Sequence, residues 1–376
     1  MDLFNKILLD TNNVLTGYVL LIALLGGGIW FTIQTGFVQF REFGNGWRRV
    51  FGGLFKKKKN TSKEGGISSF QALTTAIAAQ VGTGNLAGAA TAIAAGGPGA
   101  IFWMWVSALL GMATIFCEAT LAQVYRTKGA DGKMTGGPVY YIRAAFKGTF
   151  GKVLAATFAI LITLALGLFG NAVQANSITD AFHTAFFSNV GSFTLMGQQI
   201  SYDKIAVGII LAIVAWLIFG GGISRIATIT EKLVPIMACF YLLGGLIIVI
   251  MNIENVPYMF SAIIRGAFTP QAVCGGAFGV AMKEAVKKGV ARGLFSNEAG
   301  MGSAPNAAAS ASVSHPAKQG MVQVISVFID TLLICSATAM MLLLSGVQGE
   351  AGGLDGIPFV QKAISANVGT WGIHFI

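Results

Sequence analysis

Eight stretches of this chain are each long and apolar enough to cross a lipid bilayer, and that succession constrains the fold more than any other feature. A span needs about twenty mostly apolar residues. The candidates are residues 14–33, 68–95, 101–124, 153–175, 205–222, 234–251, 272–312 and 321–345. Hydrocarbon offers no water to the backbone, so a spanning segment keeps its hydrogen bonds internal as a helix. The expected fold class is all-α integral membrane, a multi-span helical bundle. Charged residues make up 11% of the chain, against about a quarter in soluble domains.

The net charge of +10 does not point to nucleic acid, because the basic residues gather in short connections between the apolar runs. The first group holds Arg41, Arg48, Arg49, Lys56 to Lys59 and Lys63. The second holds Arg126, Lys128, Lys133, Arg143 and Lys147, and Arg225 and Lys232 follow the fifth span. The intervening connections hold Lys204 and Arg265. Cytoplasmic loops carry the excess of Lys and Arg, so these three connections are expected inside and the N-terminus outside. Lys283, Lys287, Lys288 and Arg292 fall on the outer half of the seventh element, where a helix lining a wet vestibule could hold them. Residues 37–55 and 255–268 mix aromatic and polar residues and read as interfacial segments.

Cys117, Cys239, Cys274 and Cys335 form no CxxC pair, and His183, His315 and His374 are scattered, so no metal site is expected. The polar start of the chain lacks the pattern of a cleavable signal peptide.

Two segments resemble each other 212 positions apart. The offset relates Ala79 to Ala291, Asn85 to Asn297, Gly88 to Gly300, Phe116 to Phe328, and Glu118 to Asp330. An odd number of expected crossings separates the copies, so they would run in opposite directions, as in transporters built from inverted repeats.

The run Gln80-Val81-Gly82-Thr83-Gly84-Asn85 interrupts an apolar span. A helix broken there frees backbone groups, which lipid tolerates only where the break is buried in protein or lines a cavity. The N-terminal end of the second half offers N–H groups and positive dipole to a carboxylate. The C-terminal end of the first half offers carbonyls to a cation. The second expected break, residues 293–303, adds Phe295, Ser296, Asn297 and Glu298. Close packing of small residues between helices is the structural alternative for both. Thr83, Gly84, Asn85, Gln174, Phe295, Ser296 and Asn297 are the candidate substrate-binding residues; Ala79, Gly82 and Glu298 are the candidates for coupling an ion. Glu298 at bilayer depth must be paired or solvated, and could equally tether the broken backbone. Asn171, Gln174 and Ser177 share one helix face, where interhelical hydrogen bonding is the alternative. Glu118 and Asp330 read as packing anchors facing the bundle interior. Arg225 and Glu231 read as cytoplasmic-end residues, with Arg225 either a gate or an orientation signal. Gly82 to Ala87 fits a dinucleotide-binding pattern, but the flanking strand and the acid about twenty residues on are missing.

With the breaks in place, the chain resembles the alanine or glycine:cation symporter family. The motifs are QVGTGNLAGAATAI, GGPVYYI at Gly136 to Ile142, GNAVQANSI at Gly170 to Ile178, GGISRIATITEKLVPIMA from Gly221, and GLFSNEAGMGSAP from Gly293. The resemblance implies sodium-coupled uptake of alanine or glycine across a bacterial plasma membrane, with sodium as coupling ion and no other cofactor. It also implies a leucine-transporter-like fold: an extra first helix (14–35), a first inverted five-helix repeat (65–252) and a second (253–376), with two broken core helices. The family continues for further spans, so the second repeat is expected to be incomplete here, without the eighth core helix that usually supplies sodium ligands.

Two other classes remain in view. A channel or a transporter of another solute would share the apolar spans, although channels need a continuous pore. A membrane-embedded enzyme would need a nucleophile with a nearby base or a metal set, and the sequence provides neither.

Overall fold

A computed structural model describes residues 2–52, 67–129, 132–187, 189–195, 198–268, 278–347 and 356–375. Lys56 to Lys59, Lys63 and Cys274 lie outside the described residues, as does the side chain of Lys283. The described chain is nearly all helical.

Helix α1 covers residues 2–34 and contains a π-helical stretch, Leu15–Val19. It begins well before the expected residue 14. Apolar residues at 3, 4, 7 and 8 recur at helical spacing, which extends the helix into the polar segment. A helical turn, Val38–Arg41, leads to the amphipathic α2, Phe43–Phe51. The second expected span is two helices, α3 (Ser69–Gln80) and α4 (Thr83–Gly96), and α5 follows as Gly99–Val124. Ser68 starts α3 with a capping box: its hydroxyl accepts from the Gln71 N–H at 3.1 Å, and the Gln71 side chain accepts from the Ser68 N–H at 2.9 Å. After α6, Pro138–Ala145, the helix α7 runs unbroken over Gly148–Phe186 with a π-helical stretch at Thr163–Gly170. Then come α8 (Tyr202–Phe219), α9 (Gly222–Met251), α10 (Val256–Phe268), α11 (Phe278–Asn297), the short α12 (Ala304–Ala309), α13 (Pro316–Leu344) and α14 (Gly356–Val368). Two small antiparallel hairpins, Thr127–Lys128 with Met134–Thr135 and Ser192–Leu195 with Gln198–Ser201, close loops.

Six helices among the described residues are long and apolar enough to cross a membrane: Asn5–Gln34 of α1, α5, α7, α8, α9 and α13. The other two expected spans are the discontinuous ones. Burial sorts the six into posts and walls. The apolar windows of α13 and α5 are 67% and 56% buried, whereas those of α7 and α8 are 6% buried. The central pair therefore carries the core, and the outer helices present apolar surface where lipid can cover it. Val324 and Val327 of α13 pack with Met112 and Ile115 of α5, Ala76 of α3 and Ala304 of α12. Val322 and Ile325 pack with Leu73 and Ile77 of α3, Val50 of α2 and Val234 of α9.

Three connections meet at one end of the bundle. The Ile67 N–H donates to the Ser310 carbonyl at 3.1 Å, and the Ser312 N–H donates to the Ile67 carbonyl at 2.9 Å. Arg126 donates to the Ala311 carbonyl at 2.7 Å, and the Ser310 hydroxyl to the Met134 carbonyl at 3.3 Å. The entry to α3, the loop after α5 and the entry to α13 thus share the end that carries Arg126, Lys128 and Lys133.

Candidate functional site

Helix α3 ends when the Val81 N–H donates to the Ile77 carbonyl at 2.7 Å. Val81 then turns extended (φ −79°, ψ 107°) and Gly82 follows at φ −164°, ψ −145°. A β-branched residue followed by glycine favours leaving the helix. Asn85 restarts it: its Oδ1 accepts from the Gly82 N–H at 2.8 Å, which leaves the N–H groups of Thr83 and Gly84 at the open start of α4.

The second discontinuity lies downstream of where glycine and polar content alone put it. Residues 293–297 are helical, and the chain turns at 298–303. Gly293 serves close packing instead: a Cβ there would stand 2.1 Å from the Ser107 hydroxyl and 3.0 Å from the Met104 carbonyl of α5. The turn is made by Glu298 at φ 54°, Gly300 at φ 90° and Gly302 at φ 85°. A non-glycine residue at positive φ is strained, by about 1–3 kcal/mol. The surroundings hold it: the Glu298 N–H donates to the Leu294 carbonyl at 3.1 Å, the Ser303 hydroxyl donates to the Glu298 carboxylate, and the Gly300 N–H donates to Glu118 Oε2 at 3.0 Å.

The two discontinuities touch. Gln80, the last residue of α3, donates from Nε2 to the carbonyl of Asn297, the last residue of α11, at 2.7 Å. Beside this contact lies a buried cluster centred on Asp330 of α13. Asn85 Nδ2 donates to Asp330 Oδ1 at 2.7 Å, and the Ser296 and Thr331 hydroxyls donate to Oδ2 at 3.0 and 2.8 Å. Asn85, Thr331, Asp330 and Cys335 are 0% exposed and Ser296 is 1% exposed. Cys335 Sγ lies 3.2 Å from both Asn85 Nδ2 and the Ser296 hydroxyl. Residues five apart diverge by about 140° in an α-helix. The π-helical stretch Phe328–Cys335, bonded i to i+5, brings Asp330 and Cys335 to one side. No Lys or Arg pairs with Asp330 among the described residues, so its partners are all neutral.

The candidate residues therefore divide into three sets. Asn85 and Ser296 enter the buried cluster with Asp330. Asn297 and Glu298 hold the turn, with Asn297 Oδ1 accepting from the Ala299 N–H at 3.0 Å. Ala79, Gly82, Thr83, Gly84, Gln174 and Phe295 border the open side of the first break. There a Cβ at Gly82 would lie 3.2 Å from Gln174 Nε2, and one at Gly84 would lie 3.8 Å from the Phe295 ring. Phe295 is 56% exposed. Asn171 turns back to its own helix, donating to the Gly167 carbonyl at 3.0 Å. Ser177 is not drawn into any of these sets. At the helix ends, Glu231 accepts from Gln71 at 2.8 Å and Arg225 donates to the Leu217 carbonyl at 3.0 Å. Sequence reasoning read Asp330 as a packing anchor, took Cys335 only as outside any metal or CxxC pattern, and passed over Thr331. The available signal was an acid inside an apolar span, which by default marks a functional position.

A cavity of about 490 Å³ lies elsewhere, between α2, α3, α9 and α13, lined by Val50, Phe70, Leu73, Ile77, Val234 and Leu333 among others. Its wall is almost entirely apolar, which suits hydrocarbon and not a zwitterion.

Comparison with known proteins agrees in kind with this architecture. The amino-acid carrier protein AlsT of Bacillus subtilis is 43% identical over 99% of this chain and 73% of its own length. The probable sodium/glutamine symporter GlnT of the same organism is 41% identical, over 97% and 70%. The sodium/alanine symporter AgcS of Methanococcus maripaludis is 40% identical, over 94% and 73%. The profile of the sodium:alanine symporter family matches residues 1–376, and the chain belongs to that family.

Proposed function

We propose that this protein is a secondary active transporter that carries a small neutral amino acid, alanine or glycine, together with sodium, by alternating access across the plasma membrane. The observation that carries this reading is Asp330: a fully buried carboxylate whose hydrogen-bond partners are all neutral. Removing one partner's charge from a buried pair is strongly destabilising, so an uncompensated carboxylate at bilayer depth calls for a mobile cation. Asp330, Ser296 and Thr331 supply oxygen atoms suited to sodium, while Asn85, whose Oδ1 caps α4, presents its amide nitrogen to the carboxylate. Relatives bear the names sodium/alanine and sodium/glutamine symporter, which favours sodium over a proton.

The substrate belongs on the open side of the first break. The free N–H groups of Thr83 and Gly84 and the positive end of α4 suit its carboxylate. The C-terminal carbonyls of α3, around Ala79, and the Gln174 amide suit its ammonium group, with Phe295 covering a small side chain. Asn85 and Ser296 join the two sites: Asn85 caps α4 with one amide atom and holds Asp330 with the other. Substrate and ion each stabilise the arrangement the other needs, which is a coupling free energy and is reciprocal. The basic end of the bundle is assigned to the cytoplasm and the N-terminus to the outside.

The test is uptake of labelled alanine into proteoliposomes containing the natural protein, with and without an inward sodium gradient, and with glycine, serine and glutamine as competitors. Sodium-dependent, saturable uptake blocked by glycine is expected; equal uptake in sodium-free buffer would overturn the reading. Gln174→Ala is expected to raise the KM for alanine about tenfold, since one hydrogen bond to a charged group is worth about 1.5–3 kcal/mol. It should leave the sodium requirement in place, and an unchanged KM would remove Gln174 from the substrate site.

A further inference from the structure

Three more polar residues of α13 continue from Asp330 toward the basic end. Gln319, Gln323, Ser326 and Asp330 follow one another at spacings of four, three and four, which places them on one helix face. All four are 0% exposed. The flanking faces fix where the stripe points. Val322 and Ile325 meet Leu73 and Ile77 of α3, while Val324 and Val327 meet Met112 and Ile115 of α5. The polar face lies between these two contacts, toward the junction of α3, α5 and α12. Its far end is the start of α13 at His315, next to the strand-like contact of Ile67 with Ser310 and Ser312.

The stripe is not satisfied by its surroundings. The Ser326 hydroxyl donates within the helix, to the Gln323 carbonyl at 2.7 Å, and lies 3.1 Å from Gln323 Oε1. Gln323 Nε2 and both amide atoms of Gln319 have no partner among the described residues. A buried polar group left unpaired is destabilising, and an apolar residue of similar shape would avoid that cost. Valine and isoleucine occupy the neighbouring positions of the same helix. Two glutamines kept at this cost need a partner that is present for part of a cycle.

We infer that Gln319, Gln323 and Ser326 line the route by which the cation held at Asp330 passes to the cytoplasmic side, their amide and hydroxyl oxygens replacing part of its water shell. Filters built from neutral oxygen dipoles pass cations in the same way: binding is favourable enough to enter and weak enough to leave. This inference rests on the assignment of the ion to Asp330. The segment is placed to open, since α3 and α12 are the short helical pieces beside the two discontinuities, and their separation from α13 would wet the stripe along its length.

The test separates ion release from the other steps. In proteoliposomes, Gln319→Leu/Gln323→Leu is compared with the natural protein in two assays. Net sodium-driven alanine uptake requires the ion to leave on the cytoplasmic side in every cycle. Alanine–alanine exchange with saturating sodium on both sides does not. The double variant is expected to lose net uptake tenfold or more, to keep exchange within about twofold, and to melt at the same or a higher temperature. Net uptake at the natural rate, or equal loss in both assays, would overturn the inference. If the double variant does not accumulate, Gln319→Leu alone carries the same comparison. Asp330→Asn, read separately by the sodium dependence of alanine binding, distinguishes failure of the ion site from failure of the route.

Discussion

Asp330→Asn is expected to raise the sodium concentration for half-maximal alanine uptake by about a hundredfold or more. The substitution keeps the shape of the side chain and removes the one formal charge of the cluster. Two unit charges about 4 Å apart interact by about 4 kcal/mol at the effective dielectric of a partly polar protein site. Each 1.4 kcal/mol is tenfold in affinity, so even half of that interaction would cost a factor of about thirty, and most of it would cost several hundred. Moving the charge offers a sharper check. Asn85 Nδ2 and Asp330 Oδ1 are 2.7 Å apart, so Asn85→Asp combined with Asp330→Asn returns a carboxylate to the same small volume. The pair is expected to recover at least tenfold of the lost sodium affinity, whereas Asn85→Asp alone sets two carboxylates against each other and abolishes uptake. Flow measurements of sodium-dependent uptake over a wide sodium range read all three variants. An unchanged sodium requirement in Asp330→Asn would remove the ion from this cluster.

Gly293→Leu is expected to prevent accumulation of folded protein. A Cβ at that position would stand 2.1 Å from the Ser107 hydroxyl and 3.0 Å from the Met104 carbonyl. Relief requires α11 to move away from α5, the central post. Inserting even a few atoms into a packed interior costs about 1–3 kcal/mol, occasionally more. Here a backbone carbonyl is among the obstacles, so the upper end applies and the Gln80 to Asn297 contact would be pulled apart. Gly26→Leu is the control. Gly26 lies in the interior of α1 with nothing within 4 Å of an added Cβ, so folded yield should stay at the natural level. Fluorescence-detected size-exclusion of the two variants decides it, and a monodisperse Gly293→Leu peak at normal yield would contradict the packing described for α11.

Much of the fold was legible because bilayer thickness imposes length. Six apolar runs became continuous helices, α5, α8 and α13 close to their expected bounds and α1, α7 and α9 extended well past theirs, and the first broken span was marked by Val81-Gly82 inside an apolar run. The second was harder to place. Gly293 and the polar residues after it read as a break, but glycine in a helix also allows close approach, and sequence does not say which use is made of it. Only the backbone angles of Glu298, Gly300 and Gly302 locate the turn. At the site, the sequence marked Asn85 and Ser296 from the breaks themselves. It did not connect them to Asp330, because 245 and 34 positions separate the partners and nothing local indicates that they meet. Thr331 joins as the neighbour of Asp330, and Cys335 joins through the π-helical widening of α13, a local change of register that hydrophobic periodicity does not reveal. The resemblance to a transporter family correctly indicated the class of protein, and geometry then redistributed the roles among the residues.

The most direct test of the account is the affinity of the purified natural protein for alanine, measured by equilibrium binding in sodium and in an equal concentration of choline, for the natural chain and for Asp330→Asn. Coupling through Asn85 and Ser296 predicts that sodium tightens alanine binding at least tenfold in the natural protein, and that Asp330→Asn removes most of that difference while leaving the sodium-free affinity nearly unchanged. Alanine affinity that is the same in sodium and choline, or a sodium effect undiminished in Asp330→Asn, would contradict it.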